Sequence, residues 1–202
     1  MTTKSTAKPR RKIRNTESPE DQEQAILTAA AAEFTAVGVR RANVDEVANQ
    51  AGVSRSTLYR RFPNKEALLL AVANDLYEKG MRRLEETVVG LGPREAVVEA
   101  FAEGASMITD DPLMHRLVLT DSEMKGITSA VTSLFIDMVT HRVAATLRSA
   151  GAQMPDTELR HAVELHVRLV ISFLEFPASE PERQTAEAVR DLAATYLAPM
   201  IW

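Results

Sequence analysis

The 202-residue chain reads as an all-α protein of about nine helices. Three observations predict this. Apolar residues recur at three- and four-residue steps along most of the chain, and no alternation of strand length persists. Ser, Asn, Gly and Pro stand where helices would be capped or broken. With hydrophobic residues at 45% and only 8 Gly and 9 Pro, a buried core is expected rather than global disorder.

Residues 1–18 are polar, aperiodic and interrupted by Pro9, and read as a mobile basic arm; residues 1–16 carry +6. From Glu20, Ile26, Ala29 or Ala30, Phe34 and Val37 set a helical period that Gly38 ends. Asn43, with Glu46 three residues on, predicts a capping box and a second, short helix closed by Gly52. Ser54 caps a third helix, which Pro63 stops. Asn64 caps a long fourth one, whose stripe Leu68, Leu69, Val72, Leu76, Leu84 and Val88 runs to the Gly90–Gly92 break. Pro93 opens a helix to about Thr109, and Asp110-Asp111-Pro112 opens a shorter one to about Thr120. Ser122 to Ala150 holds a long pattern with a potential break at Gly126. Asp156 is expected to cap a helix to Phe176, antiparallel to the one before it, and Pro181 to open the last, to about Leu197.

Composition narrows the function classes. With no cysteine there is no disulfide, thiolate nucleophile or Cys-bound zinc, which fits a reducing compartment. No apolar run reaches the roughly 18–20 residues of a membrane span, and the basic start lacks the apolar core of a secretory signal. A cytoplasmic protein without membrane association is expected. No Gly-rich phosphate loop, metal cluster or nucleophile paired with a base is evident, so no enzyme, cofactor or metal site is expected. His161 and His166 are five apart, too far round a helix for a zinc pair. Charge is unevenly distributed: residues 17–65 are near neutral at −1, and residues 66–202 carry −9.

The stretch AGVSRSTLYRRFPNKE carries the most specific signal. Two short helices about a glycine turn form a helix-turn-helix. At 100° per residue Leu58 and Phe62 point inward together, whereas Ser56, Tyr59 and Arg60 lie broadly opposite. Thr57 and Arg61 take one flank and Arg55 the other, at the N-terminal tip. An apolar heel with donors on the outer face and tip is what a helix entering a DNA major groove requires. Arg40, Arg41 and Lys65 stand within reach of the flanking backbone. The arm is open to two readings, a tether along the DNA or a solubilising tail.

FTAVGVRRANVDEVANQAGVSRSTLYRRFPNKEALL resembles the DNA-binding signature of the TetR family of transcriptional regulators. Phe34, Gly38, Val44, Val47, Ala48, Ala51-Gly52-Val53-Ser54, Thr57-Leu58-Tyr59, Phe62, Lys65-Glu66 and Leu68-Leu69 carry the match. The resemblance implies a repressor that binds a palindromic double-stranded DNA operator as a homodimer and is released by a small-molecule effector. By position, Arg55, Ser56 and Tyr59 would approach base edges, and Asn43, Thr57, Arg60, Arg61 and Lys65 would hold phosphates. Asn43 stands where the family often has Thr, and Ser56 where Gly is frequent. The expected division is a basic arm (1–18), a DNA-binding domain (19–66) and a ligand-binding and dimerisation domain (67–202). A regulator without an effector, or one that activates, is the alternative.

Helices 156–176 and 181–197 are expected to form the dimer contact, because the apolar residues of ELRHAVELHVRLVISFLEF cover more than one face. Between residues 93 and 176, Phe101, Met107, Met114, Met124, Phe135, Met138 and Phe173 suit a hydrophobic effector, or simply core. His115, His141, Arg142 and His166 are the polar candidates to face a cavity.

Overall fold

The computed structural model describes residues 18–119 and 125–202; for residues 125–132 the backbone alone is described. The basic arm before Ser18, and Met124, therefore lie outside the described residues. Among the described residues every regular element is helical: α1 (Pro19–Val37), α2 (Val44–Gln50), α3 (Arg55–Arg61), α4 (Lys65–Thr87), α5 (Pro93–Asp110), α6 (Pro112–Val118), α7 (Lys125–Ser149), α8 (Asp156–Glu175) and α9 (Ala186–Leu192). A wide π-type turn and a short 3-10 turn carry the chain from Ala193 to Met200.

The caps explain the boundaries. Ser18 and Asp21 form a reciprocal capping box at the start of α1. Ser54 Oγ accepts the Thr57 N–H and Asn64 Oδ1 the Ala67 N–H, so α3 and α4 start where the sequence predicts. Gly38 and Gly52, at φ 80° and 67°, take backbone conformations that side chains resist, which ends α1 and shapes the turn into α3.

Three expectations are corrected. Asn43 does cap α2, accepting the Asp45 N–H, but its own N–H donates to Glu33 Oε1 of α1 at 2.9 Å rather than to Glu46. A long-range carboxylate thus completes the cap. Asp156 lies inside α8, whose cap is Pro155, and its carboxylate pairs with Arg148 at 2.6 Å across the α7–α8 loop. The last helix does not run continuously from Pro181. Residues Pro181–Gln184 form a separate 3-10 turn, and Thr185, accepting the Ala188 N–H, starts α9 afresh. Helix α9 ends at Leu192, where the wider turn of Ala193–Leu197 takes over.

Two main cores follow. Ile26 and Phe34 of α1, Val47 of α2, Leu58 of α3 and Leu68 of α4 are fully buried in the first. Each such side chain contributes about 1.5–3 kcal/mol relative to exposure. Leu113 of α6 joins this core from a distant part of the sequence. The second core lies between α5, α7, α8 and the C-terminal turns, with Val97, Leu159, Val163 and Ile201 at its centre. Helix α4 runs from one core to the other: Leu68 and Val72 serve the first, while Tyr77, Met81 and Leu84 pack towards α5 and α7.

Candidate nucleic-acid interface and ligand cavity

Helix α3 is seated by Leu58, at 0% exposure, and Phe62, at 7%, as its pattern predicts. The side chains of Arg55, Ser56, Tyr59 and Arg60 are exposed on the opposite side, Tyr59 by 41% despite its apolar ring. At the tip, Ser54 Oγ lies 2.9 Å from both the Ser56 and the Thr57 hydroxyl, a local network that orients both. Arg55 Nε pairs with Asp45 Oδ1 of α2 at 2.7 Å. With the arginine side chain 68% exposed, that pair is weakly held and presents the guanidinium near the tip rather than locking it away.

Two of the expected phosphate contacts have internal duties. Arg61 donates to Glu23 Oε2 and to the Pro19 carbonyl, both at 2.7 Å, and so ties α3 to the start of α1. Lys65 Nζ donates to the carbonyls of Arg40 and Ala42 at 2.8 and 3.2 Å, holding the loop between α1 and α2. An ammonium has three donors, so Lys65 keeps one direction for an outside acceptor. Asn43 is first of all the cap of α2, and Thr57 is bound into the cap of α3, its N–H and hydroxyl both meeting Ser54 Oγ.

At the other end, an apolar cavity of about 110 Å³ lies between α4, α5, α7 and α8, with Met114 of α6 at its edge. Of the sequence candidates, Phe101, Met107, Met114 and Phe135 come together in its wall. Met138 instead packs beside Tyr77, whose hydroxyl donates to the Met138 carbonyl at 3.3 Å. His115 and Phe173 line a second, wider cleft of about 500 Å³ between α5, α8 and α9, which shares Phe101 and Val170 with the first and also holds Arg183 and Asp191. His141 is exposed on α7. Arg142 faces α4 rather than a cavity: it donates to Glu85 and Glu78, both at 2.7 Å, and lies over the Tyr77 ring. The Glu85 hydrogen bond, then that of Glu78, raises its pKa; the same contact lowers that of Glu85.

The contribution of α4 was not foreseen. Leu76, Tyr77, Gly80 and Met81 form one wall of the cavity. A side chain at Gly80 would begin 3.6 Å from Met107 Sδ and 3.7 Å from Met114 Cε. The sequence signal was a glycine on the inner face of a long helix, where it costs helix stability and so asks for a packing reason. His166, buried on α8, also lines the cavity. Burial pushes its imidazole down to about 4, partly opposed by the Leu197 backbone carbonyl.

Comparison with known proteins identifies the family. Residues 26–72 match the family described as bacterial regulatory proteins, tetR family, and residues 93–195 match the bacterial tetracyclin repressor C-terminal domain. The chain belongs to the TetR family of helix-turn-helix transcriptional regulators. An uncharacterised regulator of this kind from Mycobacterium tuberculosis is 28% identical to this regulator over 182 residues, covering 87% of this chain and 83% of the relative. The transcriptional activator FasR of Mycolicibacterium smegmatis is 32% identical over 135 residues, 60% of each chain. Among solved structures, the TetR family repressor AlkX from Dietzia superposes with a TM-score of 0.63 at 22% identity, covering 87% of this chain and 94% of that one. The regulator FadR from Bacillus subtilis, solved with stearoyl-CoA, has a TM-score of 0.60 at 17% identity, with 85% and 97% covered. Both are likenesses of fold. No described helix of the regulator is long and apolar enough to cross a membrane.

Proposed function

We propose that the regulator binds a palindromic operator as a homodimer and that a small apolar effector in the α4–α8 cavity releases it. The observation that carries this reading is on α6. Leu113 is buried in the core beneath the recognition helix, while its neighbour Met114 lines the cavity. A ligand that moves Met114 therefore moves a residue of the DNA-binding core. Arg116 adds a second tie, its guanidinium standing 3.1 Å from where a side chain at Gly38 would begin. Helix α4 works in parallel, since the cavity wall and the support of α3 are two parts of one rigid rod. Half-sites of symmetric helix-turn-helix dimers lie about 34–36 Å apart, so a modest change in spacing releases both grooves.

Dimer formation is supported by α8. Its inner face, with Val163, Val167 and Val170, is buried, yet Leu165, Leu169, Phe173 and Phe176 remain exposed by 50, 37, 38 and 73%. At 100° per residue these four fall within about 80°, a stripe that a two-fold partner would cover with its own copy. The last helix contributes less than its sequence suggested, because Ala193 and Leu197 face the subunit's own core and Tyr196, 70% exposed, is left for the contact. Activation in place of repression is a second reading, favoured by the match to FasR.

The domains divide in function near residue 66, with the helix-turn-helix before it and effector binding and dimerisation after it. Genome-wide recovery of bound DNA supplies the operator, and the double variant Leu169→Glu/Phe173→Glu tests the assembly. It is expected to sediment as a folded monomer and to lose operator binding. A variant that remains dimeric would reject α8 as the contact.

A further inference from the structure

We infer that the cavity between α4, α5, α7 and α8 takes a compact apolar molecule carrying one hydroxyl, seated with that hydroxyl on His166. The inference rests on the proposal that this cavity is the effector site, and it narrows the chemical class.

His166 is 8% exposed and lines the cavity, and its Nε2 is wholly buried with no hydrogen-bond partner. Tyr77, the other described lining side chain with a polar atom, already gives its hydroxyl proton to the Met138 carbonyl. Every other described lining residue is aliphatic, aromatic, methionine or glycine. Two consequences follow. Carboxylates, phosphates and ammonium groups are excluded, because an ion buried here would meet no counter-charge. The nearest charged residues along α8, Glu164 and Arg168, are paired with one another at 2.7 Å and do not line the cavity.

A purely hydrocarbon ligand, however, would leave Nε2 buried and unsatisfied, which is costly. The Leu197 carbonyl accepts from the other ring nitrogen, so in the neutral imidazole Nε2 is left as an acceptor; a hydroxyl can donate to it, whereas a ketone or ether accepts only. Size fits the same class. An apolar cavity of about 150 Å³ accommodates benzene, and about 110 Å³, bounded by the flexible Met81, Met107 and Met114, suits a single ring.

Phenol and toluene test this, having nearly the same shape and differing by hydroxyl against methyl. Binding of each is measured by calorimetry on the full-length wild-type chain and on His166→Leu. Toluene gains more from leaving water, so its affinity ratio to phenol measures what the hydroxyl recovers inside. The substitution is expected to swing that ratio at least tenfold towards toluene; a smaller swing overturns the role of His166. A second measurement needs no variant: the ¹⁵N resonance of His166 Nε2 in the wild-type chain should move with phenol and stay with toluene. An unmoved resonance on saturation with phenol also overturns it. If toluene binds and phenol is no better served by His166, the hydroxyl class falls and the cavity remains a ligand site. If neither compound binds, both readings fall.

Discussion

The two ends of this regulator use the same apolar residue types and differ in how completely they fill space. Around α3, Ile26, Phe34, Val47, Leu58 and Leu68 are all at 0% exposure, and short capped helices hold them in one arrangement. Between α4 and α8, two glycines and three methionines border a cavity. A filled core presents a recognition surface of fixed shape, whereas a loosely bounded one can accept a ligand and change shape. Rigidity and room are thus separated along the chain, and α4 and α6 belong to both regions.

Leu58→Ala attacks the filled end and should have the largest effect. Removing a fully buried leucine costs about 2–5 kcal/mol, read as a lower midpoint in urea, with operator binding lost as well. A cost under about 1 kcal/mol would mean that the first core is less tightly packed than its burial implies.

Acid attacks the other end. His166 is neutral in the folded chain down to about pH 4, against an ordinary histidine value of 6.5. Below pH 6.5 the unfolded chain takes up a proton that the folded one refuses. Stability is therefore lost as pH falls from 6.5 towards 4, by at most about 3 kcal/mol. Urea midpoints across that range should fall for the wild type and fall less for His166→Leu; parallel curves would remove His166 as the cause.

Arg55→Ala and Tyr59→Ala separate recognition from folding. Each should weaken operator binding by about 1–3 kcal/mol while the melting temperature and the oligomer are unchanged, since both side chains are exposed. A shared loss of stability would show that the surface is not independent of the core beneath it. The smallest expected effect has the opposite sign. Gly80→Ala places a methyl in ordinary contact with Met107 and Met114, so it should stabilise α4 by about 0.5–1 kcal/mol and weaken phenol binding. Unchanged phenol affinity would place the ligand away from that wall.

The same comparison explains what the sequence could reveal. Caps such as Ser54 and Asn64, and the inward pair Leu58 and Phe62, are local signals, so α1 to α4 and the outward face of α3 were readable in order. Glu33 on Asn43 and Glu23 on Arg61 are contacts across 10 and 38 residues, and nothing local announces them. The cavity is long-range throughout. Phe101, Met107, Met114 and Phe135 were legible as a class of residue, but a methionine in a wall and one in a core look alike in sequence. Met138 and His141 went the other way because helix phase alone does not say which neighbour a face meets. Gly80 and His166 carried the sharper clue, a residue whose usual cost in that setting calls for a reason.

Operator affinity measured with and without a compound that raises the regulator's melting temperature tests the coupling of the two ends most directly. Binding at the two sites is linked reciprocally. Fluorescence anisotropy on the recovered operator should show affinity falling at least about fivefold when the cavity is occupied, and falling less in Met114→Ala. A compound that saturates the cavity and leaves operator affinity unchanged would contradict the account.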